Sequence, residues 1–167
     1  KCGNGIKNNK PMGIVKIKNE SNKRLLNDEF EPMKIKVDYT QLKIDTKDNE
    51  DIFEIIKKSL DLAIHYFELL LSVKKADIEP ASSETYKNYC DIGNVDSDCI
   101  NWFTNYDLIL LPSFDKNPED KTVYAPASTC LLIVEGGAEK RPLADRIYIY
   151  NNYDYNKENI IVFFANH

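Results

Sequence analysis

The stretch "VYAPASTCLLIVEGGAEKRPLADRIYIYN" (residues 123–151) contains two apolar segments that a pair of glycines separates. The first segment, residues 123–134, is rich in Ser, Thr and Ala, and it ends before Gly136-Gly137. In the second segment, residues 146–150 alternate between polar and apolar side chains, which is typical of a half-buried strand. We therefore predict two successive strands in this part of the chain.

Two further strands are predicted upstream of this pair. Residues 106–112 form a short, almost wholly apolar run, which indicates a strand that is covered on both faces. Residues 33–39 alternate at period two, which places four apolar side chains on one face of a half-buried strand: Met33, Ile35, Val37 and Tyr39.

Residues 51–73 carry the clearest helical pattern. Spacings of three and four residues align one apolar stripe along this segment: Ile52, Ile56, Leu60, Ala63, Phe67 and Leu70. We expect Leu62, Tyr66 and Leu69 to widen the buried side. His65 falls on the opposite, polar stripe, and we expect it to face solvent.

The remaining segments complete an α+β pattern. Residues 1–30 are polar and are predicted to form an N-terminal arm with a short strand near residues 14–17. Residues 77–105 look irregular, and a final helix is predicted to begin at Lys157, after Asn156 as N-cap. The order of the main elements is therefore β, α, β, β, β, α, which favours a mixed, twisted sheet.

Composition restricts the classes of partner. The chain has 167 residues, a net charge of -5 and a pI of about 5.1. The length fits one domain, and the acidic balance disfavours nucleic acid and anionic membrane surfaces as partners. No apolar run approaches the roughly 20 residues of a transmembrane helix, and no glycine-rich phosphate loop or nucleophile elbow is present in the sequence.

The cysteines and one sequon favour the secretory pathway, with an extracellular or cell-surface destination. The four cysteines are Cys2, Cys90, Cys99 and Cys130, and four cysteines allow three disulfide pairings among which this reasoning does not choose. Asn19 begins an Asn-Glu-Ser sequence and is a predicted glycosylation site.

Several segments, in order, resemble the N-terminal half of the leishmanolysin family of zinc metalloendopeptidases. They are "EPMKIKVDYTQL" (31–42), "SLDLAIHYFELLLSVKK" (59–75), "NYDLILLPSF" (105–114) and the stretch at 123–151. The last stretch is similar to the family in its order of an Ala-x-Ala segment, a cysteine, an Arg-Pro pair and a strand. The resemblance covers residues 31–167, which we therefore interpret as an N-terminal subdomain of such a protease.

The resemblance implies a zincin-like sheet with a long backing helix and the start of an active-site helix. It also implies a disulfide between Cys90 and Cys130. Cys2 is then left either to pair with Cys99 or to act as a latency cysteine that caps the metal. The strand edge along which such proteases bind an extended peptide substrate would lie near five residues: Val123, Tyr124, Ala125, Pro126 and Ala127.

The resemblance further implies that His167 is the first zinc ligand of the family's His-Glu-x-x-His motif. The other ligands would belong to a C-terminal remainder of a longer parent, so we expect this chain alone to be inactive and to bind zinc poorly. If His167 is not a zinc ligand, it is an ordinary terminal residue. Asp145 replaces a usual glycine and Tyr148 a usual asparagine. The change to Asp145 and the missing His-Glu-x-x-His motif favour an alternative, a non-catalytic surface or structural interaction module.

Overall fold

The computed structural model describes residues 12–15, 30–74, 78–116, 125–135 and 139–151. These ranges contain four α-helices, one 3-10 helix and seven strands. In chain order they are β1 Gly13–Val15, β2 Phe30–Pro32, β3 Ile35–Val37, α1 Thr40–Asp45, α2 Glu50–Leu70, β4 Ser72–Lys74, α3 Ser83–Cys90, the 3-10 helix Ser97–Asn101, α4 Trp102–Asn105, β5 Leu108–Asp115, β6 Ala127–Glu135 and β7 Glu139–Tyr150.

Five of the strands form one mixed sheet in the order β1-β6-β7-β5-β3. The strands β3, β5 and β7 run parallel to one another, β6 runs antiparallel to β7, and β1 runs parallel to β6. A separate two-stranded sheet pairs β2 with β4. The expected mixture of helices with a mixed sheet is therefore confirmed.

The two strands predicted within residues 123–151 are β6 and β7, which pair antiparallel from Ala127 opposite Ile147 to Glu135 opposite Glu139. The register shifts between Thr129 and Leu132, where the strand has an irregularity of the β-bulge type. The strand β7 is much longer than the predicted residues 146–150, because it also includes the Arg-Pro pair.

One face of the sheet packs against α2 in what we call the α2-side core. The Asn49 side chain caps α2 by accepting a hydrogen bond from the Ile52 amide, at 3.2 Å. The buried members of this core come from two helices and three strands: Ile35, Leu42, Ile56, Leu60, Ile64, Phe114 and Ile149. The partly buried Met33, Val37 and Tyr39 join Ile35 against it, as their alternation predicted.

The predicted width of the buried side of α2 is wrong. Leu62, Tyr66 and Leu69 are 46%, 65% and 69% exposed. The last two members of the predicted stripe, Phe67 and Leu70, are also 44% and 68% exposed. The buried stripe instead follows a spacing of four residues through Ile56, Leu60 and Ile64. Leu62, Tyr66 and Leu69 project from another side of the helix, so the sheet does not reach them.

The end of α2 also differs from the prediction. The helix ends at Leu70, and Leu71 adopts an extended conformation. The Met33 amide donates to the Leu71 carbonyl at 2.9 Å, next to the pairing of β2 with β4. Residues 72 and 73 therefore pair in a sheet where the prediction continued the helix, and the β-branched Val73 favours the strand.

The opposite face of the sheet carries what we call the disulfide-side core. Three helical segments cover it, in a region that was predicted from the sequence to be irregular. Tyr86 of α3 contacts Trp102 and Phe103 of α4, with ring centroids 5.2 Å and 6.1 Å apart. The helix α3 has only two buried residues, Tyr86 and Cys90, so its sequence carries a weak apolar stripe.

The strand β5 separates the two cores, as its predicted burial on both faces requires. Ile109 and Leu111 belong to the disulfide-side core, whereas Leu110 and Phe114 pack in the α2-side core. The described part of the predicted N-terminal arm is not separate from this body. The strand β1 joins the sheet, and Val15 is buried in the disulfide-side core.

Candidate functional site

The predicted substrate edge maps onto the start of β6. Ala125 and Pro126 are partly buried and lead into Ala127, the first residue of the strand. The Pro126 carbonyl accepts a hydrogen bond from the Tyr148 amide at 2.9 Å, which fixes the entry of the chain against β7. Val123 and Tyr124 lie outside the described residues.

The edge of β6 that faces away from β7 is only partly covered. The strand β1 pairs with residues 131–133 of β6. Within the described ranges, no strand pairs with residues 127–130 on that side. An extended peptide can add to such an edge through backbone hydrogen bonds, and these bonds tolerate many side chains. The candidate site is therefore this edge together with the elements beside it.

A disulfide anchors the middle of β6. Cys90 at the end of α3 is bonded to Cys130, 40 residues further along the chain. This is the pairing that the resemblance implies. The bond joins the helix layer of the disulfide-side core to the strand that carries the open edge. It therefore fixes the distance between α3 and the β6 edge.

A charged contact reinforces the same connection. Asp91, which follows α3, has a left-handed backbone with φ of 52°, and its carboxylate lies 3.1 Å from Nη1 of Arg146. The same Arg146 nitrogen donates to the carbonyls of Cys90 and Asp91, and the guanidinium lies over the Tyr148 ring at 3.8 Å from its centroid. Sequence reasoning missed this role of Arg146, since it did not predict α3.

The remaining cysteine of the described chain, Cys99, is a buried free thiol in the disulfide-side core. Burial raises the pKa of this thiol, and the carboxylates of Asp38 and Asp96 raise it further. A raised pKa keeps a thiol protonated and unreactive at neutral pH. The thiol thus has a packing role here. Cys2, its predicted alternative partner, lies outside the described residues.

Asp145 lies on the opposite side of β7 from Arg146. Its partner in β5 is Leu110, so it faces the α2 side of the sheet, and Thr129 of β6 is opposite it. Burial raises the pKa of the Asp145 carboxyl more than the hydrogen bond with Thr129 lowers it. Asp145 Oδ1 is buried and has no hydrogen-bond partner among the described residues. Asp145 therefore holds a proton at a higher pH than an exposed aspartate.

A cavity of about 290 Å³ opens at the other end of the sheet, where β3 and β5 begin. Its lining is Glu31, Lys34, Ile78, Phe103, Thr104, Asn105, Tyr106 and Asp107. Asp107 accepts from the Lys34 amide at 2.9 Å and lies 3.9 Å from Nη1 of Arg141. The Arg141 contact links the first part of β7 to the residue that precedes β5.

The described residues do not form a zinc site. No group of three or more His, Cys, Asp or Glu side chains in the described ranges could hold a metal ion. His65 is exposed on α2, as predicted. His167, the predicted first ligand, lies outside the described residues, as do Asn19 and the helix predicted from Lys157. The structure thus places the Cys90–Cys130 disulfide on the strand that carries the partly covered edge. The predicted zinc ligand is not among the described residues, so the zinc site stays a prediction.

Comparisons with family models, with curated proteins and with solved structures gave no match for this chain. Within the described ranges, none of the helices has the length and the hydrophobicity of a membrane span.

Proposed function

We propose that this chain is the N-terminal part of a leishmanolysin-like zinc metalloendopeptidase, in which it supplies the substrate-binding edge and the framework behind it. The observation that carries the proposal is the Cys90–Cys130 disulfide. The resemblance implies this pair, whereas the four cysteines alone allow three pairings. In this proposal the peptide-bond hydrolysis belongs to the longer parent, together with its C-terminal remainder.

The sheet architecture adds support. The long helix α2 backs β3, β5 and β7, and the antiparallel β6 lies beyond them with its edge free of described strands at residues 127–130. A zincin-like sheet places an extended substrate along such an edge. The Cys90–Cys130 bond is also consistent with a secreted or cell-surface protein, since disulfides persist in oxidising compartments.

The experiment uses the full parent protein and its two matched histidine variants. His167→Ala should abolish bound zinc, measured by mass spectrometry of the purified protein, and should abolish cleavage of an unstructured protein substrate. His65→Ala is the control, because His65 is exposed on α2 and has no role in the proposed metal site. A parent that binds no zinc, or a His167→Ala variant that keeps both zinc and activity, would refute the proposal.

A second candidate, the non-catalytic interaction module, is favoured by the exposed side of α2. Leu62, Tyr66, Leu69 and Leu70 lie at helical spacings of four, three and one, and each is between 46% and 69% exposed. An apolar stripe of this kind is typical of a surface that another protein or another part of the parent covers. The residues that follow His167 in the parent decide between the candidates, since the sequence Glu-x-x-His there is required for the protease.

A further inference from the structure

The C-terminal end of α3 is attached to the sheet at two points, on two neighbouring strands. Cys90, the last residue of α3, is bonded to Cys130 of β6. Nη1 of Arg146, in β7, donates to the Cys90 carbonyl at 3.3 Å and also to the Asp91 carbonyl. The first attachment is covalent and the second consists of hydrogen bonds, and both include Cys90.

The helix end supplies suitable acceptors for a cation. The last carbonyls of a helix have no intrahelical partner, and the helix dipole makes this end partly negative. After Cys90 the backbone turns at Asp91 into the left-handed region, with φ of 52°. The Arg146 guanidinium therefore acts as a side-chain cap for α3, although it belongs to a strand that is more than 50 residues further along the chain.

The side chain of Arg146 is itself held in place. Its Nη1 lies 3.1 Å from the Asp91 carboxylate, and its guanidinium lies 3.8 Å from the centroid of the Tyr148 ring. The side chain is only 13% exposed. An arginine that is fixed in this way loses little further freedom when it binds the helix end. Arg146 can therefore hold α3 against the sheet independently of the covalent bond.

We infer that Arg146 is a positioning residue for the Cys90–Cys130 disulfide: its hydrogen bonds keep the end of α3 beside β6 in the reduced chain, so that the bond forms more readily and resists reduction. Two attachments of one helix end each lower the entropic cost of the other, because the first raises the effective concentration of the groups that form the second. This coupling is reciprocal. The inference does not rest on the proposed protease function, because it concerns only the oxidation state of the two cysteines.

The reaction that reports the coupling is thiol–disulfide exchange with a small disulfide, oxidised glutathione. The thiols of Cys90 and Cys130 give up two protons and two electrons and form one S–S bond. Glutathione disulfide takes up the protons and electrons as its own S–S bond breaks, and it leaves as two thiols. Arg146 is unchanged by this reaction, so it affects the equilibrium only through the arrangement of the reacting groups.

The test is a redox titration of the full chain in glutathione buffers of defined composition. Alkylation of the free thiols, followed by peptide mass spectrometry, measures Cys90 and Cys130 separately from Cys2 and Cys99. Arg146→Met removes all the donors and retains a long side chain. It should lower the equilibrium constant for disulfide formation about tenfold, which makes the reduction potential about 30 mV less negative.

The matched control is Arg141→Met, which makes the same substitution in the same strand. Arg141 is five residues before Arg146, roughly 17 Å along β7, and it lies 3.9 Å from Asp107. This variant should keep the reduction potential of the unmodified chain. The control thus separates the positioning of α3 from a general loss of stability.

Three results would overturn the inference. The first is an unchanged equilibrium constant in Arg146→Met, and the second is an equal shift in Arg146→Met and Arg141→Met. The third is a more negative potential in Arg146→Met, which would show that the guanidinium chiefly stabilises a thiolate of the reduced chain.

If Arg146→Met does not fold, Arg146→Lys provides the same test. Lysine keeps the positive charge beside the Asp91 carboxylate but lacks the planar fork of donors. The potential of this variant should shift in the same direction as that of Arg146→Met, by less than tenfold in the equilibrium constant. An unchanged potential in Arg146→Lys would also refute the positioning role.

Discussion

Two hydrophobic cores pack on opposite faces of the same sheet, and they are built by different means. On the α2 side, one continuous helix with a capped start packs aliphatic side chains onto β3, β5 and β7. On the disulfide side, short helical segments bring aromatic side chains together, and a covalent bond ties α3 to β6. The α2-side core is therefore stabilised by packing alone, whereas the disulfide-side core combines packing with a covalent cross-link.

The largest expected effect is on the disulfide side, at Trp102. This side chain is 3% exposed and contacts Tyr86. Trp102→Ala should lower the free energy of unfolding by about 3–5 kcal/mol, because it removes a large buried ring and leaves a cavity. Urea denaturation followed by circular dichroism measures the change. Ile100→Ala, at a position that is 50% exposed, is the control and should stay within about 0.5 kcal/mol of the unmodified chain.

The cross-link is the next test of the comparison. The double variant Cys90→Ala, Cys130→Ala opens a loop of 40 residues and should lose about 3–4 kcal/mol, chiefly through the greater freedom of its unfolded state. Reducing agent should lower the stability of the unmodified chain by a similar amount and leave the double variant unchanged. If the unmodified chain has the same free energy of unfolding with and without reductant, packing alone stabilises the disulfide-side core.

A smaller effect is expected from one methyl group on the α2 side. Ile56 is fully buried at 0% exposure, so Ile56→Val should lower the free energy of unfolding by about 0.5–1.5 kcal/mol. Ile44→Val removes the same methyl group at a position that is 45% exposed, and it should have little effect. Thermal and urea unfolding of both variants measure the difference. Equal losses would show that the α2-side core is loosely packed at Ile56.

The smallest expected effect concerns the pH dependence at Asp145, on the α2 side of β7. Burial raises the pKa of this carboxyl in the folded state above its ordinary value of 3.8, so the folded state binds the proton more tightly than the unfolded state. This contribution to stability is present below the ordinary pKa and is lost as pH rises through the folded pKa. Asp145→Asn should therefore be more stable than the unmodified chain at neutral pH.

The measurement is urea denaturation at a series of pH values from 3 upward for both proteins. The difference in unfolding free energy between Asp145→Asn and the unmodified chain should grow with pH through this window and then level off. Glu79→Gln, which replaces an exposed carboxyl by its amide, controls for the substitution itself. A difference for Asp145→Asn that does not change with pH would contradict the role of burial.

The sequence predicted the regular parts of the two cores and missed the irregular parts. The helix α2 and the end of β7 carry periodic patterns, and β5 and β6 carry continuous apolar runs, so these elements were predictable. The helices α3 and α4 were missed because each buries only two side chains, and the aromatic contact of Tyr86 with Trp102 joins residues that are far apart in sequence. The exposure of Tyr66 and Leu69 was missed because the local sequence around an apolar side chain does not indicate whether another element packs against it.

The candidate site was predictable in one respect only. The pairing of Cys90 with Cys130 followed from the resemblance, whereas the contact of Arg146 with Asp91 depends on an αL residue after an unpredicted helix. The partial cover of the β6 edge was also missed, because a run as short as Gly13–Val15 inside a polar segment has too few residues for a periodic signal. His167 stays a prediction.

The tight contact around Gly13 has a consequence for inheritance. Every missense change in the codon for this residue adds a Cβ atom, which would lie 2.7 Å from side-chain atoms of Leu131 and Tyr89, so that at least one of these side chains would have to move. Codon 14, next to it, specifies a side chain that points to solvent, so it tolerates many changes. Natural variation should therefore be rarer at the first codon than at the second.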